Sequence, residues 1–187
     1  VRSAAAAPRT ARKTPAIAHA TAPAPPRAPA APAARDALAG VRDYRSRDER
    51  LVVGLMTGTS AVAVDAALVR FNGLGNESRH TLVAYCETPL EASLRREILD
   101  VASARTLEPE RLMRLDAALG ERYAAAVFEL LAVANTPSSA IAAIGSQGQT
   151  VRHLPRHAGG GQALTLQAGS AAVLAERTGL TVVSNFR

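Results

Sequence analysis

Leu51-Val52-Val53-Gly54-Leu55-Met56-Thr57-Gly58-Thr59-Ser60 joins an apolar run to a turn built from glycine and hydroxyl side chains. The spacing predicts a buried strand over 51–56, ended by that turn. Backbone N–H groups and small hydroxyls at such a point can face a phosphate without steric obstruction. No lysine follows Ser60 in the manner of a Walker sequence, and by chemistry alone a hairpin turn is the plainer reading.

Working outward, Val62–Phe71 reads as a second strand and His80–Glu87 as a third. Asn72-Gly73-Leu74-Gly75-Asn76 between them is a turn signal, so the three strands form an antiparallel meander. Leu90–Ala104 has helical spacing, with Leu94, Ile98 and Val101 on one face. Pro109 suits the first turn of a second helix that runs to about Asn135, with Leu112, Leu115, Leu119, Tyr123, Val127 and Leu130 on its stripe. A short strand at Ile141–Gly145, a strand at Thr165–Ala168, a helix at Ser170–Thr178 and a strand at Thr181–Asn185 follow. The fold class is α/β, a mixed sheet with flanking helices.

Charge separates the chain into two parts. Residues 1–35 carry Arg2, Arg9, Arg12, Lys13, Arg27 and Arg35 and no acid, which accounts for the net charge of +6; the remainder is balanced. This segment is rich in Ala and Pro and is expected to be disordered. It resembles a transit peptide in composition, yet it lacks an apolar stripe, which favours a plain tail. Residues 36–50 read as a frayed helix or linker, so 1–50 is tail and linker and 51–187 the folded unit. The balanced part shows no basic face with interleaved aromatics, so no nucleic-acid partner is expected. No stretch reaches about 18 uninterrupted apolar residues, so no membrane span is expected. Cys86 is the single cysteine, which excludes an internal disulfide and favours a reducing compartment.

A second small-polar stretch, Gly145-Ser146-Gln147-Gly148-Gln149-Thr150, again follows a strand and reads as a turn. Gln149 and Thr150 could hydrogen-bond a sugar hydroxyl, and two such turns can converge on one cleft. Arg187, after the last strand, could hold a phosphate or carboxylate, or be a solvated terminal charge. Asp65 is the acid nearest the first turn, with a surface role as the alternative. His153 and His157 flank Pro155 and have no third partner, so no metal site is expected there.

Taken together, the blocks resemble the N-terminal half of the anhydro-N-acetylmuramic acid kinase family. The matching blocks are Gly54–Asp65, Leu115-Asp116-Ala117-Ala118-Leu119-Gly120, Gly145–Pro155, Leu166-Gln167-Ala168-Gly169-Ser170, and Thr178-Gly179 through Asn185-Phe186-Arg187. The resemblance implies one lobe of the actin/hexokinase/Hsp70-like, ribonuclease H-like fold, with ATP in the cleft between two lobes. It implies ATP- and Mg²⁺-dependent phosphorylation and hydrolytic ring opening of 1,6-anhydro-N-acetylmuramic acid to the 6-phosphate, in cytoplasmic cell-wall recycling. By that resemblance Gly58, Thr59 and Ser60 meet the ATP phosphates, and Gln149, Thr150 and Arg187 meet the sugar. Asn185 stands where the family pattern has its Asp base.

The chain departs from the pattern at Val62 and Ala63 in place of Asp-Gly, Gln147 in place of His, Ser170 in place of Asp, and Asn185 in place of Asp. The expectation is therefore a truncated, catalytically impaired member. The alternatives are a non-catalytic homologue and a module completed by a separate C-terminal lobe. An uncovered apolar surface would favour that lobe or a homo-oligomer as partner.

Overall fold

A computed structural model describes residues 38–156 and 161–186. The expectations for the Ala/Pro/Arg-rich segment through residue 37, for His157 and for Arg187 lie outside the described residues.

The opening apolar run becomes β1 (Glu49–Thr57), preceded by α1 (Ala39–Ser46) where the sequence allowed a frayed helix. β1 makes an antiparallel hairpin with β2 (Ala63–Asn72), and β2 with β3 (Arg79–Pro89), as the meander reading expects. α2 (Ala92–Ser103) starts two residues later than its spacing suggested, because the Leu90 amide is already bound to the Val62 carbonyl at 2.9 Å. α3 (Pro109–Val133) begins on its proline; Asn135 adopts φ +46 beyond its end, and Pro137 follows.

One segment departs from its reading. β4 (Ile141–Leu154) does not stop at Gly145 but runs through the whole Gly-Ser-Gln-Gly-Gln-Thr stretch. That stretch lacks apolar alternation, yet its backbone is paired on both sides. β1 lies parallel on one edge; β6 (Val182–Ser184), parallel, and then β5 (Leu164–Ala168), antiparallel, share the other. Between the Leu55–Ser146 and Thr57–Gln149 pairs, Gln147 and Gly148 oppose Met56 alone, a bulge. Gly148 supplies the φ of +76 there, and a Cβ on it would sit 2.9 Å from the Ala168 carbonyl oxygen.

The sheet order is β3-β2-β1-β4-β5, with β6 also on β4. Setting the β5 arm aside leaves β3-β2-β1-β4-β6 with only β2 antiparallel, the mixed arrangement of a ribonuclease H-like lobe. On one face Val53, Leu55, Val64, Ala66, Leu68 and Ile144 pack beneath Leu115, Leu119, Tyr123, Val127 and Leu130 of α3, all buried. α2 adds Ile98 and Val101, and α4 (Ala171–Thr178) adds Leu174.

Among the described residues the opposite face is covered only in part. The Tyr44 ring of α1 lies 5.1 Å from the Arg50 guanidinium at one end. Farther along, Met56, Leu82, Tyr85, Val183 and Phe186 remain 42, 59, 50, 52 and 59% exposed. Gly54, at the centre of β1, has nothing within 4 Å of where a Cβ would stand.

Candidate functional site

β1 and β6 end alongside the middle of β4, at its Gln149 and Ser146, while β4 runs on to Leu154 as the partner of β5. From β1 the chain turns back toward β2; from β4 it leaves toward β5 and β6. Ligands of open α/β sheets bind in the crevice where the connections diverge in this way. By that rule the candidate crevice lies where β1 ends beside the bulge of β4. The Gly58–Val62 turn stands on one side of it and the β4 bulge on the other.

The turn is polarised. Three of its five carbonyls are engaged: Gly58 accepts from the Ala61 amide at 2.9 Å, Ser60 from Arg95 Nε at 3.3 Å, and Val62 from the Leu90 amide at 2.9 Å. Ala61 anchors it, fully buried with φ +50. Thr59 and Ser60 are exposed, and their amides and hydroxyls have no partner among the described residues. A turn with most of its acceptors occupied and donors free has the polarity that can face an anion.

Behind the turn lies a buried polar cluster. Thr57 Oγ1 donates to the Tyr123 hydroxyl at 3.0 Å. Gln149, paired with Thr57 across the strands, is 1% exposed. Its amide nitrogen donates to the Thr150 carbonyl at 3.1 Å, while Oε1 finds no partner among the described residues. Ser146 Oγ is also buried and unpaired there. Gln149 thus underlies the crevice instead of lining its open side. Thr150, half-buried, accepts from Gln167 Nε2 at 3.2 Å. Asn185 is exposed at φ +57 just past β6, whose Ser184 pairs with Ser146. Asparagine enters that left-handed region more readily than most residues.

Two of the quoted blocks form one joint. Asp116 Oδ1 accepts from the Gly169 amide at 2.8 Å, and the Asp116 carbonyl accepts from the Ser170 amide at 3.0 Å. Gly120 lets that corner approach α3, since a Cβ there would lie 2.9 Å from the Ser170 carbonyl oxygen and from Val173. Ser170 caps α4, its Oγ accepting from the Val173 amide at 3.4 Å. Serine and aspartate are comparable N-caps, so Ser170 fills the structural part of this position without a carboxylate. Ser170→Ala is expected to lower stability by about 1 kcal/mol, and Ser170→Asp to leave it nearly unchanged, in urea unfolding.

Sequence reading missed Asp116 as a corner clamp, Tyr123 as a polar anchor and Arg95 at the turn. The four-residue step from Asp116 to Gly120 on a helix was the available signal for the first. Nothing local announced the other two, whose partners are distant in sequence.

Burial raises the Tyr123 hydroxyl to about 12. A phenol held neutral in the fold gives stability that is complete below its unfolded value near 10 and is lost as pH climbs toward 12. Stability is therefore expected to fall by roughly 2–3 kcal/mol between pH 10 and 12 on this account. Tyr123→Phe is expected to flatten that slope in denaturant titrations run across the window. The Tyr85 hydroxyl, bonded to Asp65 on the open face, is also raised to about 12 and contributes in the same direction.

Asp65 stands beside the turn yet is committed to Tyr85, and Val62 offers no oxygen ligand. No group of three or more metal-ligating side chains occurs among the described residues. Apart from the Thr59 and Ser60 hydroxyls the turn carries no side-chain oxygen, and it offers no carboxylate to Mg²⁺, which needs hard oxygen ligands. A hollow of about 440 Å³ lined by Phe128, Leu131, Asn135 and Pro137 lies at the far end of α3, away from the crevice, without a titratable group.

Comparison with known proteins bears on this geometry. The family model for anhydro-N-acetylmuramic acid kinase matches residues 50–187. Curated relatives bearing that name include one from Caldanaerobacter subterraneus subsp. tengcongensis, 39% identical over 145 residues, covering 76% of this chain and 37% of the relative. One from Salinibacter ruber is 41% identical over 144 residues, covering 75% and 36%. One from Xanthomonas campestris pv. campestris is 42% identical over 138 residues, covering 73% and 36%. The chain thus spans little more than a third of the length of these relatives.

Proposed function

The chain belongs to the anhydro-N-acetylmuramic acid kinase family, and from that premise we propose that it forms the phosphate-receiving wall of an ATP-dependent sugar kinase site in which the catalytic base is replaced. The reaction is the phosphorylation and hydrolytic ring opening of 1,6-anhydro-N-acetylmuramic acid to its 6-phosphate. Water adds to the anomeric carbon as the bond from that carbon to the bridging O6 breaks; O6 takes the terminal phosphoryl group of ATP, ADP leaves, and one proton of water passes to a base. The observation that carries this reading is the Gly58–Val62 turn, with its Gly58, Ser60 and Val62 carbonyls occupied and its Thr59 and Ser60 donors free. On the sugar side Thr150 and Arg187 are the proposed contacts, with the buried Gln149 supporting them from beneath.

Asn185 sets the limit. Its amide cannot accept a proton near neutral pH, so the chain holds the reactants without taking the proton from water. Val62 places an exposed side chain without oxygen at the turn, where the family pattern has an aspartate. ATP binding tests the reading. Titration calorimetry is expected to detect saturable binding to the chain, lost in the double variant Thr59→Ala, Ser60→Ala; no binding by the unaltered chain contradicts it.

A second reading follows from the uncovered sheet face. Its exposed Met56, Tyr85 and Phe186 favour a partner. That partner is a polypeptide equivalent to the rest of a relative's length, with a second copy of this chain as the alternative. Gel filtration with the C-terminal portion of the Caldanaerobacter relative is expected to give a one-to-one complex. Self-association without that complex supports the second copy.

A further inference from the structure

We infer that Arg95 is the phosphate-binding cation of the Gly58–Val62 turn, holding a nucleotide or polyphosphate anion against the free Thr59 and Ser60 donors; this rests on reading the turn as a phosphate site. The turn has no lysine of its own. Arg95, in the first turn of α2, reaches it from a different element and donates through Nε to the Ser60 carbonyl at 3.3 Å. That bond uses one of the five donors of the guanidinium.

The rest of its charge is uncommitted. Among the described residues no carboxylate lies within ion-pair distance of Arg95. Glu91, one helical turn earlier, is the nearest acid on the same helix side and faces Arg122 at 3.8 Å instead. Arg111 is engaged with Glu97 at 2.7 Å, Arg177 with Glu121 at 2.7 Å and Arg70 with Glu49 at 3.0 Å; Arg45, Arg79 and Arg96 also lack an acid partner among the described residues, and Arg95 differs from them in being bonded to the turn. A guanidinium that is exposed, unpaired by acid and fixed beside free amides is suited to a phosphate oxygen, which it can meet through two parallel N–H groups.

The test uses the full chain with ATP and inorganic tripolyphosphate as probes, titrated by calorimetry at two salt concentrations. Three variants are compared: Arg95→Gln, Arg95→Lys, and Thr59→Ala with Ser60→Ala. Glutamine keeps an N–H for the Ser60 carbonyl and removes the charge; lysine keeps the charge. Arg95 is exposed, and melting curves verify that each variant folds. The expected result is about a five- to tenfold weaker affinity and a shallower salt dependence for Arg95→Gln, with most of the affinity kept in Arg95→Lys. If Arg95→Gln binds like the unaltered chain while the Thr59/Ser60 variant does not bind, the role of Arg95 is overturned and the turn reading stands. If the unaltered chain binds neither probe, or the Thr59/Ser60 variant binds equally well, both fall. Equal losses in the glutamine and lysine variants with a lowered melting temperature assign Arg95 to bracing alone and overturn the proposal.

Discussion

Gly169→Ala is expected to lower the stability of the domain by on the order of 3 to 5 kcal/mol, the largest loss for a single added methyl group in this fold. Two independent costs meet at this position. Gly169 has φ +122, a backbone conformation that residues with a Cβ rarely adopt. An added Cβ would also stand against the ring of Tyr123, which is fully buried under α3 and has no room to yield. Movement of the corner is opposed by Asp116, which holds the Gly169 and Ser170 amides. A midpoint lowered by about 10 °C is the matching thermal signature. Repeating the substitution in a Tyr123→Ala background is expected to recover the steric part and leave the conformational part. If Gly169→Ala costs as much with the ring as without it, the contact does not matter and strain alone explains the loss.

Asn185→Asp, combined with Val62→Asp, is expected to raise turnover by about 10²–10⁴ when the chain is joined to the C-terminal portion of a relative. The gain comes from restoring a proton acceptor. Asparagine and aspartate are nearly the same size, and both tolerate the left-handed backbone at position 185, so the substitution changes chemistry with little change of shape. Val62→Asp adds the oxygen ligand that the turn lacks. The pH–rate profile of the double variant is expected to gain an ascending limb in the carboxylate range, absent from the unaltered protein. A joined polypeptide that is fully active without these substitutions shows that Asn185 was not limiting.

Much of the architecture was legible in the sequence because the apolar pattern and the turn residues agree. Asn72–Asn76 closes the β2–β3 hairpin, Pro109 starts α3, and Leu115 to Leu130 lie on its buried stripe. β4 was misread past Gly145 because its pairing comes from three other strands, which leave no apolar alternation to detect. The Gly58–Ser60 turn was visible as composition, but its polarity was not. That depends on Arg95 and Leu90, which are remote in sequence, occupying its carbonyls. Gln149 appeared as a polar candidate; only the register with Thr57 places it beneath the crevice, against the Tyr123 side of the sheet. Ser170 looked like a lost acid, and it is a helix cap.

Amide hydrogen exchange of the turn, followed by NMR with and without saturating ATP, tests the central claim most directly. Thr59 and Ser60, whose amides have no internal partner among the described residues, are expected to exchange more slowly once ATP is bound. Ala61, already bonded to Gly58, is expected to change little. Unaltered exchange at Thr59 and Ser60 under saturation, with protection appearing instead around Phe128–Pro137, would contradict the assignment of this turn as the phosphate-binding element.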